Sequence, residues 1–180
     1  MKIFMATMGL DIGGAETHIV ELSKELKARG HEVVIASNGG VYVPEVTAAG
    51  IRHYSVPMNR RSVKNMMRSR ALLKDILRKE KPDIVHAHAR IPAFLCGTLQ
   101  GSLKFPFVTS CHGVFEVSGV LKLLSNWGER TLAVSEDIRD YLVRLLDGEA
   151  GDRSGKLYGL GHAVYTMSDP RAVLLKKYAR

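Results

Sequence analysis

Residues 2–37 read KIFMATMGLDIGGAETHIVELSKELKARGHEVVIAS, and three patterns succeed one another within that stretch. Residues 2–7 are a short apolar run, which predicts a buried strand. A loop follows in which Gly9, Gly13 and Gly14 interrupt the apolar pattern. Residues 15–29 then place Ile19, Leu22 and Leu26 at helical spacing, and Gly30 closes the helix as its C-terminal cap. Residues 32–37, rich in Val and Ile, return to a strand pattern.

The same rhythm continues outward. Asn38-Gly39-Gly40 reads as a turn, 44–49 as a short helix and 51–56 as a third strand. Ser62 can cap a long helix to about residue 79, which Lys81-Pro82 stops because the residue before proline disfavours helical geometry. Residues 83–86 predict a fourth strand, 92–101 a helix, 105–110 a fifth strand and 121–126 a further helical segment. Residues 130–134 predict a sixth strand, and Ser135 caps a helix through Leu146. Strands alternating with helices imply an α/β fold: a Rossmann-like parallel sheet of about six strands, with right-handed crossovers and helices on both faces. Residues 147–155, dense in Gly, Asp and Ser, lose all periodicity and read as a linker after a domain spanning 1–146.

Composition narrows the class. The 180 residues are 46% hydrophobic and 24% charged, an ordinary balance for a water-soluble chain, and no apolar run approaches the ~20 residues needed to span a bilayer. The first residues lack the features of a secretory signal, so a cytoplasmic chain is expected. Cys96 and Cys111 lack metal-ligand spacing and read as reduced structural thiols. A net charge of +8 favours anionic partners such as phosphate or anionic lipid.

In parallel α/β sheets ligands bind beyond the carboxyl ends of the strands, so the loops after strands are the places to search. In Met8-Gly9-Leu10-Asp11-Ile12-Gly13-Gly14-Ala15-Glu16 the glycines allow close approach of a ligand, and the helix N-terminus offers amides to a phosphate. A plain β-to-α turn, with Glu16 complementing the helix dipole, is the competing reading. In Pro82-Asp83-Ile84-Val85-His86-Ala87-His88, His86 ends a strand and His88 is expected in the mouth of the crevice. No third ligand lies near this pair in sequence, so a packed or hydrogen-bonded His86 is preferred to a metal site. In Thr109-Ser110-Cys111-His112-Gly113 a strand delivers an imidazole to the ligand side, where it can hydrogen-bond a sugar hydroxyl or tune a leaving group.

Gly13-Gly14-Ala15-Glu16, Pro82-Asp83-Ile84-Val85-His86-Ala87-His88, the strand-His112-Gly113 step and Ala133-Val134-Ser135-Glu136-Asp137-Ile138-Arg139 together resemble the family 4 retaining glycosyltransferases of the GT-B fold. The resemblance covers residues 1–146 and implies the acceptor-side, N-terminal domain of an enzyme whose donor-binding C-terminal domain is absent. It implies that the amides of Gly13 and Gly14 approach the donor diphosphate and that His112 lies near the transferred sugar. Glu136 and Arg139 match a motif that caps the cleft. No metal or cofactor is implied; the nucleotide sugar is a substrate, and a glycan or lipid-linked acceptor is its partner.

Charge adds a second hint. Between Asn59 and Lys81 nine Lys and Arg residues stand against Asp75 and Glu80, leaving +7 on one helix. Arg60, Arg61, Lys64 and Arg68 head this patch, and Val63, Met66, Met67, Leu72, Leu73 and Ile76 give the helix an apolar side. It can lie on anionic lipid at the inner membrane face, or present a solvated basic face over a core stripe. Nucleic acid is disfavoured because no aromatic residues interleave the charge.

Residues 156–180 follow another pattern. Gly159-Leu160-Gly161-His162, followed by Asp169-Pro170-Arg171, resembles the signature of citrate and 2-methylcitrate synthases, an all-helical family. That resemblance implies carbonyl and carboxylate contacts for His162 and Arg171. About 25 residues cannot assemble such a site, so the segment is expected to be a vestige ending in a short helix. The expectation is therefore a truncated or composite glycosyltransferase half, inactive alone. A non-catalytic glycan- or anionic-lipid-binding module is the alternative, and a citrate-synthase-related fragment a remote one.

Overall fold

In a computed structural model of the protein, residues 1–60, 62–113, 128–146 and 164–166 are described, with 145–146 and 164–166 described by backbone alone. Strand β1 (Lys2–Ala6) leads to helix α1 (Gly14–Ala28), then β2 (Glu32–Ser37), α2 (Val43–Ala48), β3 (Arg52–Ser55) and α3 (Val63–Glu80). The chain continues through β4 (Ile84–Ala87), α4 (Arg90–Leu103), β5 (Phe107–Cys111), β6 (Arg130–Ala133), α5 (Glu136–Leu146) and β7 (Val164–Thr166). These strands form one sheet in the order β3-β2-β1-β4-β5-β6-β7, every neighbouring pair parallel.

Strand order reverses between β1 and β4, and this determines where the helices lie. Right-handed crossovers moving outward from β1 put α1 and α2 on one face, and those moving the other way put α3, α4 and α5 on the opposite face. Side-chain alternation agrees. Phe4, Ala6, Val34, Ala36, Val85 and Ala87 pack with Leu73 and Leu77 of α3 and Leu95, Cys96 and Leu99 of α4. Ile3, Met5, Val33 and Ile35 pack with Ile19 and Val20 of α1 and Val46 of α2. Central strands covered on both faces need apolar residues at every position, which is why residues 2–7 show a continuous apolar run rather than alternation. Each large side chain so buried contributes about 1.5–3 kcal/mol.

Helix ends follow the local chemistry. The Ser62 hydroxyl accepts from the Asn65 amide at 3.3 Å and starts α3, which ends at Lys81 in the left-handed region (φ 46) just before Pro82. Gly30, at φ +83, follows α1 and donates to the Lys27 carbonyl at 2.9 Å. Helix α4 starts two residues before Pro92, because a proline in the first turn has no helical hydrogen bond to lose.

The sheet has one strand more than the expected six. Strand β7 comes from within the segment assigned to a citrate-synthase-like tail, and its backbone pairs Val164 with Thr131, Leu132 with Tyr165 and Ala133 with Thr166. Free backbone groups on the outer edge of β6 accept an extended segment whatever its side chains, so these residues continue the α/β sheet rather than an all-helical motif. A second correction concerns α3: Leu73 is buried and Met66, Leu72 and Ile76 pack against the core, but Val63 is 74% and Met67 69% exposed. Arg61, the expected helix at 121–126, the linker 147–155, His162 and Arg171 lie outside the described residues.

A buried carboxylate ties α3 to the amino-terminal ends of the strands. Glu80 accepts from Tyr54 Oη at 2.5 Å and from Lys2 Nζ at 3.2 Å, with Arg52 at 3.0 Å. Burial pushes its pKa up, but the hydrogen bonds from Tyr54 and Lys2 and the charges of Arg52 and Lys2 outweigh this and hold it below the usual carboxylate value. Glu80→Ala is expected to destabilise the protein by about 1–3 kcal/mol in urea unfolding at pH 7, because Tyr54, Lys2 and Arg52 lose their shared acceptor. A carboxylate with a lowered folded pKa stabilises above the unfolded value of about 4.3 and ceases to do so as pH falls through the folded value. The gap between wild type and Glu80→Ala should therefore close below about pH 4.

Candidate active site at the carboxyl ends of the strands

The crevice opens beside β1, where the loops after β1 and β2 lock together. Leu10 donates its amide to the Gly39 carbonyl at 2.8 Å, Tyr42 to the Leu10 carbonyl at 2.9 Å and Asn38 to the Met8 carbonyl at 3.0 Å. The Tyr42 and Thr17 hydroxyls lie 3.2 Å apart. Gly40 sits at φ +142, and a Cβ there would meet the Leu10 carbonyl group, so this contact accepts only glycine.

These bonds hold the N-terminus of α1 in place. Gly13 is its N-cap in extended conformation, and no side chain caps it. Beside Gly14 there is open space where a Cβ would be, whereas a Cβ on Gly13 would strike the Glu16 carboxylate folded back over the first turn. The first-turn amides and the helix dipole together favour an anion at this end.

Four imidazoles gather next to that helix end. Strand alternation puts Met5, His86, His88, Ser110 and His112 on the α1 side of β1, β4 and β5. The His86 and His88 rings are tilted by 38° with centroids 4.0 Å apart, those of His88 and His112 are 5.4 Å apart, and His18 of α1 approaches His112 edge-on at 5.3 Å. His86 Nε2 and Ser110 Oγ are 2.8 Å apart, and His88 Nδ1 and His112 Nε2 3.1 Å. Among the described residues no group of three His, Cys, Asp or Glu side chains is arranged to hold a metal ion.

Sequence expectations meet this geometry unevenly. His86 is packed and hydrogen-bonded, as preferred. His88 is not in the crevice mouth: it is 4% exposed, because its amide bonds the Ala6 carbonyl at 2.9 Å and keeps the chain running beside β1 after β4 ends. His112 is only partly buried and is the imidazole of the cluster that β5 carries toward the crevice. Glu136 is exposed in the first turn of α5, and Arg139 is paired with Asp140 at 2.7 Å rather than joined to the histidines. Arg60, Lys64 and Arg68 are exposed around the start of α3. Sequence reasoning missed His18 and Met5. The signal for His18 was its place one helical turn after Gly14; that for Met5 was its strand parity with the core face, which becomes informative only once β1 is known to pair with β4. Cys96 and Cys111 are buried and unbridged, and burial pushes the Cys96 thiol up to about 12.

Electrostatics keep His86, His88 and His112 neutral. Burial, then the proximity of His112 and His18, brings His86 down to about 3. Burial, then His86, His112 and His18, holds His88 well below the ordinary histidine value. Burial, then His18, lowers His112 to about 4. Burial also lowers His53, which bonds Ser37 Oγ at 2.8 Å. An unfolded chain takes up these protons near pH 6.5 and the folded one does not, so stability is full above that pH and falls as pH drops toward the folded values. The slope is up to about 1.4 kcal/mol per pH unit for each histidine. Melting temperature should fall steadily from pH 6.5 to 4.5, before Glu80 titrates, and His86→Gln should flatten that fall.

The parallel α/β fold agrees with what comparison with known proteins shows. The family model described as Glycosyltransferase Family 4 matches residues 12–150. Over 124 residues the chain is 27% identical to human phosphatidylinositol N-acetylglucosaminyltransferase, in one of that enzyme's subunits, covering 64% of this chain and 26% of that protein. It is 27% identical over 109 residues to Bacillus anthracis N-acetyl-alpha-D-glucosaminyl L-malate synthase, covering 57% of this chain and 29% of that protein. Among solved structures, a glycosyltransferase from Rickettsia africae superposes with a TM-score of 0.70 at 22% identity, over 98% of this chain and 49% of that one. Anabaena HepE in complex with UDP-glucose does so at 0.66 and 13% identity, over 99% of this chain and 50% of that one. The chain thus spans about a quarter of the curated relatives it matches and half of these solved structures. It belongs to Glycosyltransferase Family 4.

Proposed function

We propose that this chain is the acceptor-side half of a retaining glycosyltransferase that takes a nucleotide sugar, and that it needs a donor-binding half to turn over. The observation that carries this reading is the uncapped N-terminus of α1 at Gly13 and Gly14 beside the partly exposed His112. The helix end supplies amides and positive potential for a diphosphate, and His112 supplies a neutral hydrogen-bonding ring for a sugar hydroxyl. Two relatives whose names carry an N-acetylglucosaminyl group, and a fold neighbour solved with UDP-glucose, support the choice of donor class. Glu136 and Arg139, at the carboxyl end of β6, are proposed to line the far side of the cleft. Titrating the protein with UDP-glucose or UDP-N-acetylglucosamine should shift the amide NMR signals of 13–18 and of His112, with no sugar transfer by the chain alone. Signals there that do not move would refute the site, and robust transfer without a second polypeptide would refute the need for a donor half.

A second reading concerns where the acceptor comes from. Val63 and Met67 are exposed between Arg60, Lys64 and Arg68, and α3 starts at the carboxyl end of β3, the same end of the sheet as the crevice. No helix among the described residues is long and apolar enough to cross a membrane. Apolar side chains ringed by cations suit a peripheral contact with anionic lipid, each cation contributing about 1 kcal/mol near the surface. This would bring a lipid-linked acceptor to the cleft. In vesicle flotation, Lys64→Glu with Arg68→Glu should lower binding to phosphatidylserine-containing vesicles at least ~10-fold. Equal binding to neutral and anionic vesicles would rule the contact out.

A further inference from the structure

We propose that Met5 and His88 act as positioning residues that hold His112 in one tautomer, with its proton on Nε2 and Nδ1 left as a hydrogen-bond acceptor toward the crevice ligand. The inference rests on the glycosyltransferase reading for its use, but not for its geometry. It begins at the buried end of the cluster. His88 Nε2 lies 3.4 Å from Met5 Sδ. A thioether sulfur has lone pairs and no proton, so it can only accept. If His88 Nε2 were bare, two lone pairs would face each other in the core and a buried nitrogen would go unpaired, at a cost that buried polar groups avoid. The His88 proton is therefore on Nε2.

His88 is buried and neutral, with the His86 ring tilted against it at 4.0 Å and His18 and His112 nearby. A neutral imidazole has a single N–H, so His88 Nδ1 is an acceptor. The 3.1 Å contact between His88 Nδ1 and His112 Nε2 then requires the proton to be on His112 Nε2. His86 does not compete for this bond, since its Nε2 is engaged with Ser110 Oγ at 2.8 Å. Among the described residues the hydrogen bond of the His112 ring runs from Nε2 alone. A hydroxyl that donates to Nδ1 fits this ring, whereas a carbonyl or phosphate oxygen does not unless His112 gains a proton there.

The backbone sets up the relay. Met5 pairs with His86 across β1 and β4, and the His88 amide bonds the Ala6 carbonyl, which sets the His88 ring over β1 beside the thioether. Strand β1 contributes one member and the residues just past the ends of β4 and β5 the other two, so the direction of a hydrogen bond at the crevice is decided by a methionine in the core.

The test needs no sugar or nucleotide, so it can fail independently of the glycosyltransferase reading. In the 180-residue protein with 15N-labelled histidine rings at pH 7.5, two-bond proton–nitrogen correlation should show His88 and His112 both protonated on Nε2 and bare on Nδ1. Met5→Leu keeps the volume and removes the acceptor, so the His112 nitrogens should move toward averaged, mixed-tautomer shifts with little change in melting temperature. His88→Phe should do the same by removing the acceptor of the His112 proton. A wild-type His112 that carries its proton on Nδ1, or shows averaged shifts, overturns the proposal. An unchanged His112 tautomer in both variants overturns it as well, and one unchanged in Met5→Leu alone removes Met5 from the relay.

Discussion

The parallel pairing of β1 with β2 on one side and β4 on the other is the constraint on which the rest depends. Both edges of β1 are saturated by backbone hydrogen bonds, so the chain must leave its carboxyl end between two crossovers that go opposite ways. The crevice is the space left where those crossovers diverge. Residues 3–6 are sealed from water on both faces. The loop beyond Ala6 is pinned through Leu10 and Gly39 to the turn after β2.

This arrangement separates binding from rigidity. The helix end at Gly13 and Gly14 has no capping side chain, and it is anchored instead through backbone bonds and the contact of Thr17 with Tyr42, with the Glu16 carboxylate folded over its first turn. The histidines are likewise supported from below: His86 by Ser110, His88 by Met5 and the Ala6 carbonyl. Of the three histidines on and just past the strands, His112 is the one that keeps part of its surface exposed. Neutral rings at His86, His88 and His112 are compatible with the core in a way that charged ones are not, since an added proton would meet a neighbouring ring and little water. The opposite end of the sheet solves a comparable problem with charge. Glu80 remains ionised in the core because Tyr54, Lys2 and Arg52 surround it.

The exposed start of α3 differs from both. Most of the chain's net positive charge lies between Asn59 and Lys81, on this helix and the residues flanking it, yet the helix's buried side is an ordinary core stripe of Leu73 and Leu77. Val63 and Met67 sit one turn apart outside that stripe, on the crevice end of the molecule.

Much of the architecture was legible in the sequence because local patterning and fold pointed the same way. The apolar runs at β1, β2 and β4, the Ser62 cap, the Lys81-Pro82 stop and the glycine after α1 each announce an element within a few residues of its observed boundary. The family, too, was readable from Gly13-Gly14, the His86–His88 strand and the His112 step. The edge strand at Val164–Thr166 was not, since an edge accepts a segment through backbone groups that every residue has. Nor was the burial of His88, which depends on the chain staying beside β1 past the end of β4. The sequence alone determined the alternation of strands and helices and which loops carry glycine and histidine, because these follow from spacing along the chain. Only the tertiary structure decided which histidines touch, which stays near the crevice and how a methionine orients them, because those contacts join residues about 25 to 80 positions apart through strand register.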